Sequence, residues 1–207
     1  MRALALAPLM LLAACGPKPP VAAPTPALPS LGWRDAATGN DRERLREWRS
    51  SFIHALASAR RAGNADEIAR EGVLLQPDAA LGGGPIPSGD YRCRMIKVGA
   101  KSEGVLGYVA YPYFRCRVGG GTGIQSFAKL TGSQRLFGRI HPGDAVRQVF
   151  LGTLVLGDET LAMRYGADRE RNVAAYVERI GPARWRMVMP RPHFESQLDV
   201  LELIPAT

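Results

Sequence analysis

The spacing of apolar positions changes partway along the chain. Between residues 45 and 59 they fall at Leu45, Trp48, Phe52, Leu56 and Ala59, three or four apart. That spacing lays one stripe along a helix facing a core. Asn40-Asp-Arg-Glu43 reads as a capping box opening this helix, and Gly63 ends it. Asn64-Ala-Asp-Glu67 repeats the signal and opens a short second helix that stops near Gly72. Residues 33–72 therefore read as a helical hairpin.

From Gly89 onward the period shortens. Segments rich in Val, Tyr, Phe and Thr alternate with Gly, Pro and Asp turns. Strands are expected near 90–98, 107–118, 124–131, 135–140, 146–156, 174–180, 184–189 and 198–204. Gly119-Gly-Gly121, Gly132-Ser133, Gly157-Asp158 and Gly181-Pro182 punctuate them. The expected class is α+β, mainly β: an N-terminal helical hairpin, then a small antiparallel β-barrel or sandwich of about eight strands. Gly89-Asp90-Tyr91 resembles the Gly-x-Trp opening of lipocalin-like barrels, with Tyr in place of Trp.

Ahead of these elements lies a segment of another kind. Arg2 precedes an apolar run from Ala3 to Leu12, then Ala13-Ala14-Cys15. The run is too short to span a bilayer as a helix and has the layout of a secretory signal. The cysteine directly after two alanines makes it resemble a bacterial lipoprotein signal. Residues 1–14 are then a removed leader, and the Cys15 thiol carries lipid. Gly16 in place of Asp resembles the enterobacterial rule for the outer membrane. The expected location is the cell envelope, anchored on the periplasmic side. Residues 15–32 are rich in Pro and Ala with almost no charge, as in a stiff, extended tether. Residues 33–205 form one folded domain, with 89–205 its β-rich part.

Composition adds charge. The chain has 27 Lys and Arg against 19 Asp and Glu, a formal charge of +8. A basic surface suits an anionic envelope component or an acidic protein. Export argues against nucleic acid as a partner.

With Cys15 used by lipid, Cys93 and Cys116 remain, in an oxidising compartment. Setting them opposite each other in a hairpin centres its turn on Glu103-Gly104. It also puts Met95 across from Phe114 and Tyr91 across from Val118. One face becomes Tyr91, Cys93, Met95, Phe114, Cys116 and Val118, all suited to a core, so a cross-strand disulfide is expected. The other face carries Arg92 opposite Arg117 and Arg94 opposite Arg115. Like charges so placed repel. Carboxylates from another element, or an anionic ligand held in arginine's planar fork, would relieve them. Farther along that face lie Ile96, Val98, Tyr111 and Tyr113, which the helical hairpin is expected to cover.

Catalytic signatures are missing. There is no Gly-x-Ser-x-Gly elbow, His-Glu-x-x-His helix or phosphate-binding Lys loop. His54, His141 and His193 are scattered, and Asp158, Glu159 and Asp168 sit in loop settings. Ser133, His141 and Asp144 read as composition rather than a triad. No metal or cofactor is implied. Trp185, between Arg184 and Arg186, reads as an inward strand residue flanked by outward arginines.

Several strings are familiar as a set: Asp90-Tyr-Arg-Cys93, Tyr113-Phe-Arg-Cys-Arg117, Phe127-Ala-Lys-Leu-Thr-Gly-Ser-Gln-Arg135, Arg147-Gln-Val-Phe-Leu-Gly-Thr-Leu-Val-Leu-Gly-Asp-Glu159, Glu178-Arg-Ile-Gly-Pro182 and Phe194-Glu-Ser-Gln-Leu-Asp199. Together they resemble a bacterial family, the domain of unknown function numbered 4893. The resemblance covers nearly everything after Trp33. It implies exported, commonly lipid-anchored Gram-negative proteins, and it brings no activity, ligand or catalytic residue. The expected function is a non-catalytic binding or interaction domain. The alternatives are a barrel binding a small amphipathic or anionic ligand, and an enzyme without a recognisable motif.

Overall fold

Thr38, not Asn40, caps the first long helical segment. Its Oγ1 accepts the Asp41 N–H at 3.2 Å and donates to Asp41 Oδ2 at 2.9 Å. This reciprocal cap starts the helix two residues earlier than the Asn40 signal. The computed structural model describes residues 32–157 and 159–206. The leader, Cys15, residues 16–31 of the expected tether and Asp158 lie outside the described residues. The helical layer consists of α1 (Trp33–Ala36), α2 (Gly39–Arg46), α3 (Trp48–Arg61) and α4 (Ala65–Arg70), followed by a 3₁₀ turn at Gly72–Leu75. The expected first helix is thus divided at Glu47, and its stripe serves two cores. Leu45 packs with Val149, Leu151 and Ala174, whereas Phe52, Leu56 and Ala59 pack with Ile96, Val98, Val188, Leu198 and Val200.

Nine strands follow: β1 (Gly89–Ala100), β2 (Tyr108–Ala110), β3 (Phe114–Gly119), β4 (Gln125–Lys129), β5 (Gln134–His141), β6 (Arg147–Leu156), β7 (Asn172–Gly181), β8 (Arg184–Pro190) and β9 (Ser196–Pro205). Each pairs antiparallel with its neighbour, and β1 also pairs with β9, from Tyr91↔Pro205 to Ala100↔Ser196. Eight strands close an antiparallel barrel, and β2 is an extra short strand beside β1. Closure leaves the main ladders without a free edge.

The expected single strand 107–118 is broken at Tyr111-Pro112-Tyr113. Pro112 has no N–H to offer a ladder. Pairing runs through Ile96↔Ala110 and resumes at Cys93↔Phe114. Three residues therefore oppose two, as in a β-bulge. This corrects the expected register. Tyr91, not Cys93, lies opposite Cys116, and Arg92 faces Arg115 rather than Arg117. The shift amounts to two residues, so the faces are kept. Tyr91, Cys93, Cys116 and Val118 belong to the barrel's inner core, with Met95 and Phe114 packed against it. Cys93 and Cys116 are diagonal neighbours with Cα atoms 6.0 Å apart, at disulfide distance.

Helix α3 lies across the outer face of β1, β9 and β8. It covers Ile96 and Val98 but leaves Tyr111 and Tyr113 each 42% exposed. Under this layer Arg186 and Glu178 are both fully buried. Arg186 Nε donates to Glu178 Oε2 at 2.7 Å. Its terminal nitrogens donate to the carbonyls of Val73, Leu74, Gln76 and Pro77 at 3.3, 2.8, 2.7 and 2.9 Å. One guanidinium thus ties the end of the helical layer to the barrel wall.

Candidate barrel-mouth site

Alternation along each strand decides what enters the barrel. At the end where β1 begins, the interior is filled. Tyr91 meets Trp185 edge-to-face at 6.1 Å, and Phe127 meets Phe150 in the same way at 5.6 Å. Gly138 and Gly152 face each other across β5 and β6, and a Cβ on either would collide with the Phe150 ring. Only glycine there lets that ring lie across the barrel. The segment before β1 closes this end: Ile86 is buried, its N–H donates to Gln148 Oε1 at 3.0 Å, and its carbonyl accepts from Gln125 Nε2 at 2.7 Å.

The opposite end is hollow. A cavity of about 420 Å³ opens there, above Met95, Phe114, Leu136, Leu154, Val173 and Met189. The loops before β3, between β4 and β5, before β7 and between β8 and β9 form its rim. Tyr111, Tyr113 and Phe194 are exposed apolar groups on that rim.

Two lysines continue the inward-facing rows. Lys97 follows Cys93 and Met95 on β1, and Lys129 follows Gln125 and Phe127 on β4. Lys97 Nζ lies 3.2 Å from both Asp199 Oδ2 and Glu195 Oε2. Burial works against its charge, but these two carboxylates outweigh burial and raise its pKa. Lys129 Nζ donates to the Gln134 carbonyl at 2.6 Å and lies 4.2 Å from the Phe114 ring centre. Burial, with Lys97 and Arg135 adding to it, lowers the Lys129 pKa. Among the described residues no carboxylate forms an ion pair with it. Arg44, also on the rim, is committed to Asp41 and to the carbonyls of Arg191 and Asn172.

The four expected arginines share the barrel's outer face but do not form one open cluster. Arg94 is held between Glu71 at 2.6 Å and Glu202 at 2.9 Å. Arg117 pairs with Asp90 at 2.6 Å, which lowers the Asp90 pKa. Arg92 lies 4.7 Å from the Tyr113 ring centre. Arg92 and Arg115 face each other, exposed, without a carboxylate partner among the described residues. Cys15 lies outside the described residues. His54 is exposed on α3, His141 is buried at the end of β5, and His193 is on the rim. Among the described residues no three His, Cys, Asp or Glu side chains gather as a metal set. The lysines of the mouth carried a sequence signal that went unread. Lys97 continues the row Tyr91, Cys93 and Met95, and Lys129 follows Phe127 on the inward parity of β4.

A family model described as "Domain of unknown function (DUF4893)" matches residues 33–203. No curated protein and no solved structure matches the chain.

Proposed function

We propose that this chain, which belongs to the DUF4893 family, is a cell-envelope binding protein, held to a membrane by lipid on Cys15, whose barrel mouth takes up a small amphipathic molecule. The observation that carries the reading is the unequal filling of the barrel. Aromatic rings pack one end, while a cavity of about 420 Å³ with an apolar floor opens at the other. Ligand pockets fall in the same size range, roughly 300–1,000 Å³, and share the pattern of an apolar lining with few polar groups. A barrel serving only as an interaction surface has no use for such a hollow. The anchor reading rests on Arg2, the apolar run and Ala13-Ala14-Cys15.

Two measurements test the two halves. The exported full chain carrying Cys15→Ser should bind the neutral fluorophore N-phenylnaphthylamine one to one. Leu154→Trp, which fills the cavity, should abolish the fluorescence gain while the protein stays folded. A wild-type mouth that gives no gain, or a gain indifferent to Leu154→Trp, overturns the binding reading. For the anchor, wild type should incorporate labelled palmitate and Cys15→Ser should not. Labelling that survives the change refutes it.

A further inference from the structure

Lys97 and Lys129 both enter the barrel near its mouth, yet they differ in what holds them. Lys97 is neutralised by Asp199 and Glu195. Lys129 has one carbonyl and one aromatic face. An ammonium carries three donors, so two of Lys129's remain for something else. The charged groups that act on it, Lys97 and Arg135, are both positive. A partly desolvated cation among cations is costly until an anion joins it. The turn after β4 places Gly132, at φ +92, beside it, in van der Waals reach of the Lys129 Nζ. Of the carboxylates on the rim, Asp199 is engaged with Lys97, and Glu170 is exposed and, among the described residues, forms no ion pair with Lys129.

Below the lysine the character changes. Met95, Leu136, Leu154, Val173 and Met189 offer no polar partner to a second head. The site therefore has one charged end, at the mouth, and one apolar end, inside.

From this juxtaposition we infer that the ligand is a single-chain amphiphile with an anionic head, bound head-outward with the head on Lys129 and the chain in the barrel. The inference rests on the binding reading above and adds its charge and orientation.

The test is displacement of N-phenylnaphthylamine from the Cys15→Ser chain by dodecanoate, by dodecanol and by inorganic phosphate. Dodecanoate should displace it at concentrations about tenfold below dodecanol, as one charge-assisted hydrogen bond warrants. Inorganic phosphate should not displace it. Lys129→Met keeps the apolar stem and removes the charge. It should bring dodecanoate and dodecanol to parity. Lys129→Arg should restore the preference. A preference that survives Lys129→Met, or its absence in wild type, overturns the head assignment while leaving the cavity reading intact. Displacement by inorganic phosphate alone overturns the amphiphile. Failure of the fluorophore to bind wild type removes both readings together.

Discussion

Arg186→Met should be among the most damaging single changes to this fold, although the residue lies far from the mouth. The substitution keeps the stem of the side chain and removes five hydrogen bonds. One goes to the fully buried Glu178, and four go to the carbonyls of Val73, Leu74, Gln76 and Pro77. Removing one partner of a buried ion pair costs about 3–5 kcal/mol. Glu178 keeps Arg147, 2.6 Å away, which places the pair's share at the lower end. The orphaned carbonyls then add on the order of 1 kcal/mol. The total is about 4 kcal/mol, or on the order of 10 °C in Tm for a domain of this size. Urea unfolding followed by tryptophan fluorescence, under non-reducing conditions, measures it. Amide exchange should rise first in residues 65–77, because the tie between that segment and β8 is what has been cut. A loss below about 1 kcal/mol, typical of surface changes, would refute the claim that this guanidinium fastens the helical layer to the barrel.

Three further outcomes are expected. Replacing both Cys93 and Cys116 with Ala should lower stability by about 3 kcal/mol in the chain-entropy model, and wild type should show no free thiol at these positions by mass spectrometry of the non-reduced, exported protein. Gly152→Ala should cost about 1–3 kcal/mol by overpacking, since the new methyl meets both the Phe137 carbonyl oxygen and the Phe150 ring; an unchanged unfolding midpoint would refute this packing. Burial, then Arg139, holds the His141 pKa below its ordinary 6.5, and its Nδ1 has no hydrogen-bond partner among the described residues. The unfolded chain therefore takes up this proton first, and stability falls as pH drops through 6.5 toward the lower folded value. His141→Gln should flatten that slope in unfolding midpoints measured across the acid range, and an unchanged slope would clear His141 of the effect.

The strands were legible because alternation is a local property. Inward and outward faces on β1 and β3 follow from Tyr91, Cys93, Met95, Phe114, Cys116 and Val118 whatever the pairing. Register is not local, and Pro112 shows why. One residue without a donor takes three out of the ladder, and the strands rejoin out of step. The helix cap was legible in kind but not in place. Thr38 and Asp41 satisfy each other as well as Asn40 and Glu43 would, and only tertiary contact selects between them: the Tyr165 hydroxyl donates to Asp41 Oδ2 and accepts the Thr38 N–H. Arg186 read as an outward strand residue, and it is outward. Its burial follows from where the chain lays residues 72–77, which no spacing of apolar positions encodes. The mouth escaped for a similar reason. Lys97 and Lys129 are thirty-odd residues apart in sequence and come near each other only when β1, β3 and β4 pair.

The barrel's closure has a consequence for how the protein is made. Neighbouring strands from β3 to β9 find each other across short connections, whereas β1 must wait for β9, its partner from Tyr91↔Pro205 onward. Loop-closure entropy places this ladder late, after every strand between β1 and β9 has been laid down. Until then β1 and β9 are two bare edges of a curled sheet, open to pairing with other chains. A nick or truncation that removes β9 leaves that same open sheet, not a smaller barrel. The last ten strand residues of the chain thus act as a seam, and whether it is sewn decides between a closed vessel and an aggregate.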